Sequence, residues 1–167
     1  MIRTANKADA VAIAKIYNHY VENTTVTFEV MPVSIGDMAS RIDHCLANSL
    51  PWLVAEDSEG VLGYCYATKW KERAAYQHSV EASVYVEPAS MGKGWGTRLY
   101  RQLLSELRRL EVHAVMCGIT LPNEGSVALH EKLGMVKVAH FKEVGRKFDT
   151  WIDVGYWQYL LPDKCER

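Results

Sequence analysis

Three glycines in five positions, Gly92-Lys93-Gly94-Trp95-Gly96, separate a strand-like stretch, Val80–Val86, from one whose leucines recur at helical spacing: Leu99, Leu103, Leu104, Leu107 and Leu110. A strand, a glycine turn and a helix in that order bring the end of the strand and the start of the helix to one point. Glycine permits left-handed backbone and close approach to a ligand, while the first turn of a helix presents N–H groups with no internal partner and the positive end of its dipole. The segment therefore has the makings of an anion nest suited to a pyrophosphate, with Lys93 adding a local charge. A plain tight turn is the competing reading. The pattern is neither GxxxxGK[ST], because the only Gly-Lys pair is followed by Gly94, nor GxGxxG after the first strand of a chain-initial βαβ unit, so nucleotide hydrolysis and dinucleotide binding recede.

Charge balance makes that local site the place to look. Nineteen Lys and Arg against twenty Asp and Glu give a net charge of -1 over 167 residues, which supplies no general field for nucleic acid or an anionic membrane. With 49% hydrophobic and 23% charged residues the chain has the composition of an ordinary folded domain. No apolar run reaches membrane-spanning length, and Arg3, Asn6, Lys7 and Asp9 stand where a signal peptide carries its apolar stretch, so a soluble cytoplasmic protein is expected. Cys45, Cys65, Cys117 and Cys165 form no CxxC pair and the six His form no ligand-spaced cluster; reduced thiols and no metal are expected. Without repeats or a linker, residues 1–167 read as one domain.

Periodicity places the elements. Ile2–Thr4 reads as a strand, residues 6–22 as an amphipathic helix with Asn6 as N-cap, and 34–48 as a second helix started by Ser34 and Asp37 and stopped by Pro51. Strands are predicted at Trp52–Ala55, Val61–Lys69 and Val80–Val86, forming an antiparallel meander, followed by a helix over 95–111. Val112–Leu121 reads as a buried strand, Glu124–Leu133 as a helix closed by Gly134, and Val136–Val144 and Trp151–Leu160 as the last strands. The helix between Val80–Val86 and Val112–Leu121 allows those strands to run parallel, giving an α/β (α+β) fold with a mixed central sheet flanked by helices.

The glycine loop, preceded by Ser-Val-Tyr-Val-Glu-Pro at 83–88 and followed by the strand Met116–Leu121, Asn123 and His-Glu-Lys-Leu-Gly at 130–134, resembles the acetyl-CoA core of the GNAT N-acetyltransferases. Ile-Tyr-Asn-His-Tyr-Val at 16–21, Thr27-Phe28-Glu29, Trp-Lys-Glu-Arg at 70–73 with Tyr76, Val-Glu-Ala-Ser-Val-Tyr-Val at 80–86 and Trp-Ile-Asp-Val-Gly-Tyr-Trp at 151–157 further resemble the phosphinothricin and methionine sulfone/sulfoximine N-acetyltransferases. The resemblance covers residues 1–162.

The resemblance implies a GNAT fold and acetyl-CoA as cosubstrate. It assigns the pyrophosphate to the backbone of Met91, Gly92, Lys93, Gly94, Trp95, Gly96 and Thr97, although Met91 stands where the family usually has Gln or Arg. The pantetheine arm and thioester carbonyl fall to Val84, Tyr85 and Val86, and a further cofactor contact to Asn123. Glu81 is the candidate general base: transfer needs a neutral amine, and a carboxylate accepts the ammonium proton directly or through water. Period-two alternation puts Glu81 and Ser83 on one face of their strand, and an exposed strand carboxylate is the competing reading. His130 stands in the family's Tyr-Glu-Lys-x-Gly position, where an imidazolium can protonate the leaving thiolate; a packing histidine is the alternative. For the acceptor, Arg73 with Lys71 can pair with a carboxylate, and Phe28, Glu29 and Tyr76 are candidate walls. The segment from Lys147 to Trp151 and the last strands resemble the part that completes the site across a homodimer.

The expected reaction is acetyl transfer to the α-amino group of a small amino acid or analogue. A polyamine, a peptide N-terminus or an aminoglycoside is the alternative acceptor, and a non-catalytic acyl-CoA-binding sensor the alternative class. Nucleic acid and membrane are not expected partners.

Overall fold

Trp52, Leu53, Val54 and Ala55 are all buried, and a strand whose successive side chains point to opposite faces can bury four in a row only between two apolar layers. The computed structural model describes residues 1–162 and supplies both layers. Cys165, expected as a reduced thiol, lies outside them. Seven strands, β1 (Ile2–Thr4), β2 (Trp52–Asp57), β3 (Gly60–Lys69), β4 (Ser79–Val86), β5 (Ala114–Leu121), β6 (Val136–Lys147) and β7 (Thr150–Leu160), form one sheet in the order β1-β2-β3-β4-β5-β7-β6. Every neighbouring pair is antiparallel except β4 and β5, as expected from the helix between them.

On one face α1 (Ala10–Asn23) and α2 (Ile35–Ala47) cover Trp52, Val54 and Tyr64 with Ile13, Ile16, Met38 and Ile42. On the other, Leu99, Leu103 and Leu107 of α3 (Trp95–Leu107) pack on Leu53, Cys65, Val80 and Val115, and α4 (Glu124–Lys132) lies beside them. Each fully buried leucine is worth about 2 kcal/mol of apolar transfer.

The elements differ from expectation mainly at their ends. The first helix opens as a 3-10 turn, Lys7–Asp9, before α1: Asn6 caps it as predicted, and the buried Asp9 carboxylate accepts the Asn6 N–H at 2.8 Å while Arg3 forks it from the other side. The third helix stops at Leu107 rather than 111, because Arg108–Leu110 tightens to 3-10 and Glu111 is left-handed (φ 57°), which delays β5 to Ala114. β6 runs past Val144 to Lys147 through an irregular stretch between Phe141 and Gly145, with Glu143 at φ 49°, and turns into β7 at Phe148 and Asp149, both left-handed. Two positive φ values match the hairpin turn that follows strand twist.

Candidate active site

The parallel ladder between β4 and β5 is short. It holds at Ser79/Ala114, Val80/Val115 and Glu81/Met116, whereas β4 continues to Val86 and β5 to Leu121. Beyond Glu81, β4 stays paired to β3 through Val86, and β5 to β7 through Leu121. The facing edges of Val84, Tyr85 and Val86 and of the end of β5 are therefore left to a wedge-shaped gap. A narrow recess of 50 Å³ lies in it, lined by Ser83, Tyr85, Thr120, Asn123 and His130 among others.

Glu81 stands where the ladder ends, at a cleft of 480 Å³ walled by Phe28, Ser83, Tyr85, Thr120, Phe141 and Tyr156. Half-buried there, its carboxyl is pushed above the ordinary carboxylate range by burial, against which the Lys71 charge and then a hydrogen bond from the Tyr156 hydroxyl pull it down. Tyr156 owes its position to Gly118, its cross-strand partner: a Cβ on Gly118 would sit 3.2 Å from the Tyr156 ring. Trp70 at 5.4 Å and Phe141 at 6.0 Å hold the ring edge-on. This residue was legible only as part of a resembling stretch; the alternation Val154, Tyr156, Gln158 along β7 is the signal that places it on the Glu81 face.

A strap between α1 and α2 covers one side of the cleft. The Thr27 hydroxyl hydrogen-bonds the Tyr17 hydroxyl at 2.8 Å, and the Thr27 carbonyl accepts from the buried Lys147 Nζ at 2.9 Å. Phe28 reaches into the cleft wall and rests on Gly145, where any Cβ would overlap its ring. Glu29 does not face the cleft as expected: Arg41 forks its carboxylate and, with the Tyr17 hydroxyl, holds its pKa below the usual range. Arg73 and Tyr76 are exposed in the segment around the 3-10 turn Ala74–Tyr76 and do not line the cleft, nor does Lys71, whose ammonium lies 5.0 Å from the Trp70 ring.

At the far end of the gap the glycine loop takes the conformation its composition suggested. Gly92 (φ 73°) and Gly94 (φ 82°) are left-handed, and a Cβ on either would meet nothing within 4 Å, so their face of the loop is open. Gly94 starts α3, whose first internal bond is Arg98 N–H to the Gly94 carbonyl at 3.2 Å. The N–H groups of 95–97 thus lack an intrahelical acceptor, and the loop suits a pyrophosphate. Met91 is exposed, and its sulfur lies 3.8 Å from the Tyr20 hydroxyl, which donates to the Val86 carbonyl. Asn123 caps α4, its Oδ1 accepting Ser126 N–H at 3.1 Å.

His130 departs from the expected proton donor. It is 3% exposed, its Nδ1 lies 2.6 Å from the Ser126 carbonyl, and its Nε2 lies 3.0 Å from the Tyr100 hydroxyl. A carbonyl only accepts, so Nδ1 carries a hydrogen; in the neutral ring Nε2 then accepts from the Tyr100 hydroxyl, which also lies 3.7 Å from Cys117 Sγ. Burial pushes the imidazole pKa down, outweighing the Ser126 bond. Burial thus favours the neutral ring, and both nitrogens have protein partners.

A family description, "Acetyltransferase (GNAT) domain", matches residues 2–155. Among curated proteins the chain is 40% identical over 157 residues to phosphinothricin N-acetyltransferase of Streptomyces viridochromogenes, covering 94% of this chain and 85% of that protein. It is 36% identical over 169 residues to the L-methionine sulfoximine/L-methionine sulfone acetyltransferase of Salmonella typhimurium, covering 98% and 99%. Among solved structures, a GNAT superfamily phosphinothricin acetyltransferase from Sinorhizobium meliloti in complex with acetyl-CoA superposes with a TM-score of 0.94 at 33% identity, covering 100% of this chain and 91% of that one.

Proposed function

The chain belongs to the GNAT acetyltransferase family, and from that premise we propose that it transfers an acetyl group from acetyl-CoA to the α-amino group of a small amino acid or analogue of the phosphinothricin, methionine sulfone or methionine sulfoximine type. The observation that carries the reading is Glu81, a desolvated carboxyl at a cleft of acceptor size and at the residue where β4 and β5 part.

Bound acetyl-CoA supplies an activated acyl group whose thioester carbonyl an amine attacks. The backbone of Met91–Thr97 would hold the pyrophosphate, and the open edge of Val84, Tyr85 and Val86 would hold the pantetheine arm and offer N–H groups to the thioester carbonyl, where charge would develop. Asn123, with Oδ1 spent on the helix cap, has its amide nitrogen left to donate. Glu81 takes the proton of the acceptor ammonium; its raised pKa makes it a stronger base than an ordinary carboxylate, and Tyr156 orients it. Phe28 bounds the acceptor's side chain, and Lys71, outside the cleft lining but close enough for its charge to act on Glu81, supplies a cation for the acceptor's carboxylate. With His130 giving no proton, the departing thiolate takes up the second proton, the one the attacking nitrogen sheds as the amide forms.

The unit acts as one domain and, in this reading, as a cytoplasmic homodimer. β6 is an edge strand with Val136, Val138, Phe141 and Val144 exposed, continued by exposed Phe148 and Trp151 at the hairpin. That run of apolar side chains on an unpaired edge calls for a cover, and a second copy there stands beside Phe141 and Val144, which line the acceptor cleft.

The test is thiol release from acetyl-CoA with phosphinothricin, methionine sulfone, methionine sulfoximine, common amino acids, spermidine and an aminoglycoside. Release with the first three, largely lost in Glu81→Gln, is expected. Turnover only with spermidine or the aminoglycoside overturns the acceptor class, and acetyl-CoA binding without turnover of any of them favours a sensor.

A further inference from the structure

Residues 24–34, between α1 and α2, form neither helix nor strand, yet Val26, Thr27 and Phe28 make one wall of the acceptor cleft, and Phe141 and Val144 of β6 make another. A wall without a backbone ladder is held in place by its side-chain contacts. Tyr17 and Asn18 of α1 and Arg41 of α2 hold the strap from the helices, through the Thr27 hydroxyl, the Val33 backbone and the Glu29 carboxylate. Among the described residues its one hydrogen bond to the β6–β7 hairpin comes from Lys147, whose Nζ donates to the Thr27 carbonyl at 2.9 Å.

Packing alone does not explain a lysine at this position. Lys147 is the only buried lysine or arginine among the described residues, whereas long cationic side chains ordinarily keep their heads in water. Burial pushes the ammonium pKa down, and the Glu29 charge works against that shift. An apolar side chain would fill the space with no charge to desolvate; what the ammonium adds is a charge-assisted bond to a carbonyl. The next two residues show what that bond controls. The Phe28 ring rests on Gly145, where any Cβ would overlap it, and the Glu29 carboxylate is forked by Arg41. Residues 27, 28 and 29 are therefore each gripped by a different partner, and the grip of Lys147 ties the strap backbone to the hairpin.

We propose that Lys147 is a positioning residue for the acceptor: by holding the Thr27 carbonyl it keeps the Phe28 ring against Gly145 and so fixes the wall that bounds the acceptor's side chain. Lys147 does not itself line the cleft, so it acts through Phe28 and not on the substrate. The kinetic consequence rests on the acceptor class proposed above; the structural one does not.

The test uses the full-length protein carrying ring-13C phenylalanine, which labels Phe28, Phe141 and Phe148 alone; the Phe28 signal is assigned with Phe28→Leu. In Lys147→Met that signal should broaden or split as the wall samples more than one position. In Lys147→Arg, which keeps a donor for the carbonyl, it should return toward the wild-type line. In thiol-release assays KM for methionine sulfone should rise about tenfold in Lys147→Met, the scale of losing one apolar contact, with kcat and KM for acetyl-CoA within about threefold of wild type. Added to Phe28→Leu, Lys147→Met should raise that KM by less than about twofold, because both changes act on one wall. A Phe28 signal unchanged in Lys147→Met, an equal rise in both KM values, a Lys147→Arg variant indistinguishable from Lys147→Met, or full additivity with Phe28→Leu overturns the proposal. If the wild type turns over no methionine sulfone, the acceptor class falls instead, and the Phe28 signals alone decide the role of Lys147.

Discussion

Glu81 and His130 are both titratable groups taken out of water beside the gap between β4 and β5, and burial drives both toward their neutral forms. They differ in what else they touch. Glu81 opens on a 480 Å³ cleft and is drawn back toward ionisation by Lys71 and Tyr156. His130 lines a 50 Å³ recess and has each nitrogen tied to a protein partner. Desolvation alone does not make a catalytic group; a proton must also have somewhere to come from and space in which to travel.

The comparison fails most visibly at Glu81. Glu81→Gln keeps the shape and removes the proposed base, and kcat/KM should fall by about 10²–10⁴ at neutral pH, the usual worth of a positioned general base. The acid limb of the wild-type kcat/KM profile should lie above the ordinary carboxylate range, because the ionised form is the active one and burial raises the pKa, and it should vanish in the variant. A residual limb at the same pH would move the base elsewhere.

A smaller change tests the cleft rather than the proton. Gly145→Ala forces a methyl into the space of the Phe28 ring, so the acceptor wall must shift while the glycine loop is untouched. KM for the acceptor should rise about tenfold, the scale of losing one apolar contact, with KM for acetyl-CoA unchanged. Equal effects on both would mean that the β6–β7 hairpin, and not the wall, had moved.

How much of this was readable from the chain divides along the same line. The glycine loop and the order of strands and helices are local properties, set by residues within a few positions of one another, and Glu81 and Ser83 share a face by alternation alone. The long-range relations were not readable. Gly118 and Tyr156 meet through the β5–β7 register, Arg41 reaches Glu29 across a strap whose path no periodicity encodes, and β6 outruns its alternation because an irregular stretch interrupts it. The state of His130 was hidden for a further reason: its neutrality follows from burial and from a tyrosine thirty positions away, neither of which a nine-residue helix displays.

Tyr156→Phe should act more weakly than Gly145→Ala. It deletes one of the two influences that lower the Glu81 pKa, so the acid limb should move to higher pH, with a plateau rate within about threefold of wild type. A limb moving to lower pH would show that the hydroxyl favours the protonated carboxyl instead.

The smallest effect on catalysis is expected at His130. If the imidazole is neutral and committed to Ser126 and Tyr100, His130→Gln should leave kcat/KM within about threefold at neutral pH and preserve the acid limb of Glu81, since no proton-transfer partner of order 10² is removed. Its signature should appear in stability. The folded-state pKa lies below the unfolded value near 6.5, so the unfolded chain binds the extra proton first as pH falls. Wild type should hold its full His130 contribution above about 6.5 and lose it steadily as pH drops from there toward the lowered folded pKa. His130→Gln should be less stable at neutral pH by about 1–3 kcal/mol, for the misfit of a buried polar pair, and its chemical-denaturation midpoint should vary less across that window. A loss of kcat comparable to that of Glu81→Gln, with a new limb gone from the basic side, would instead make His130 the thiol's proton donor and place both groups in the reaction.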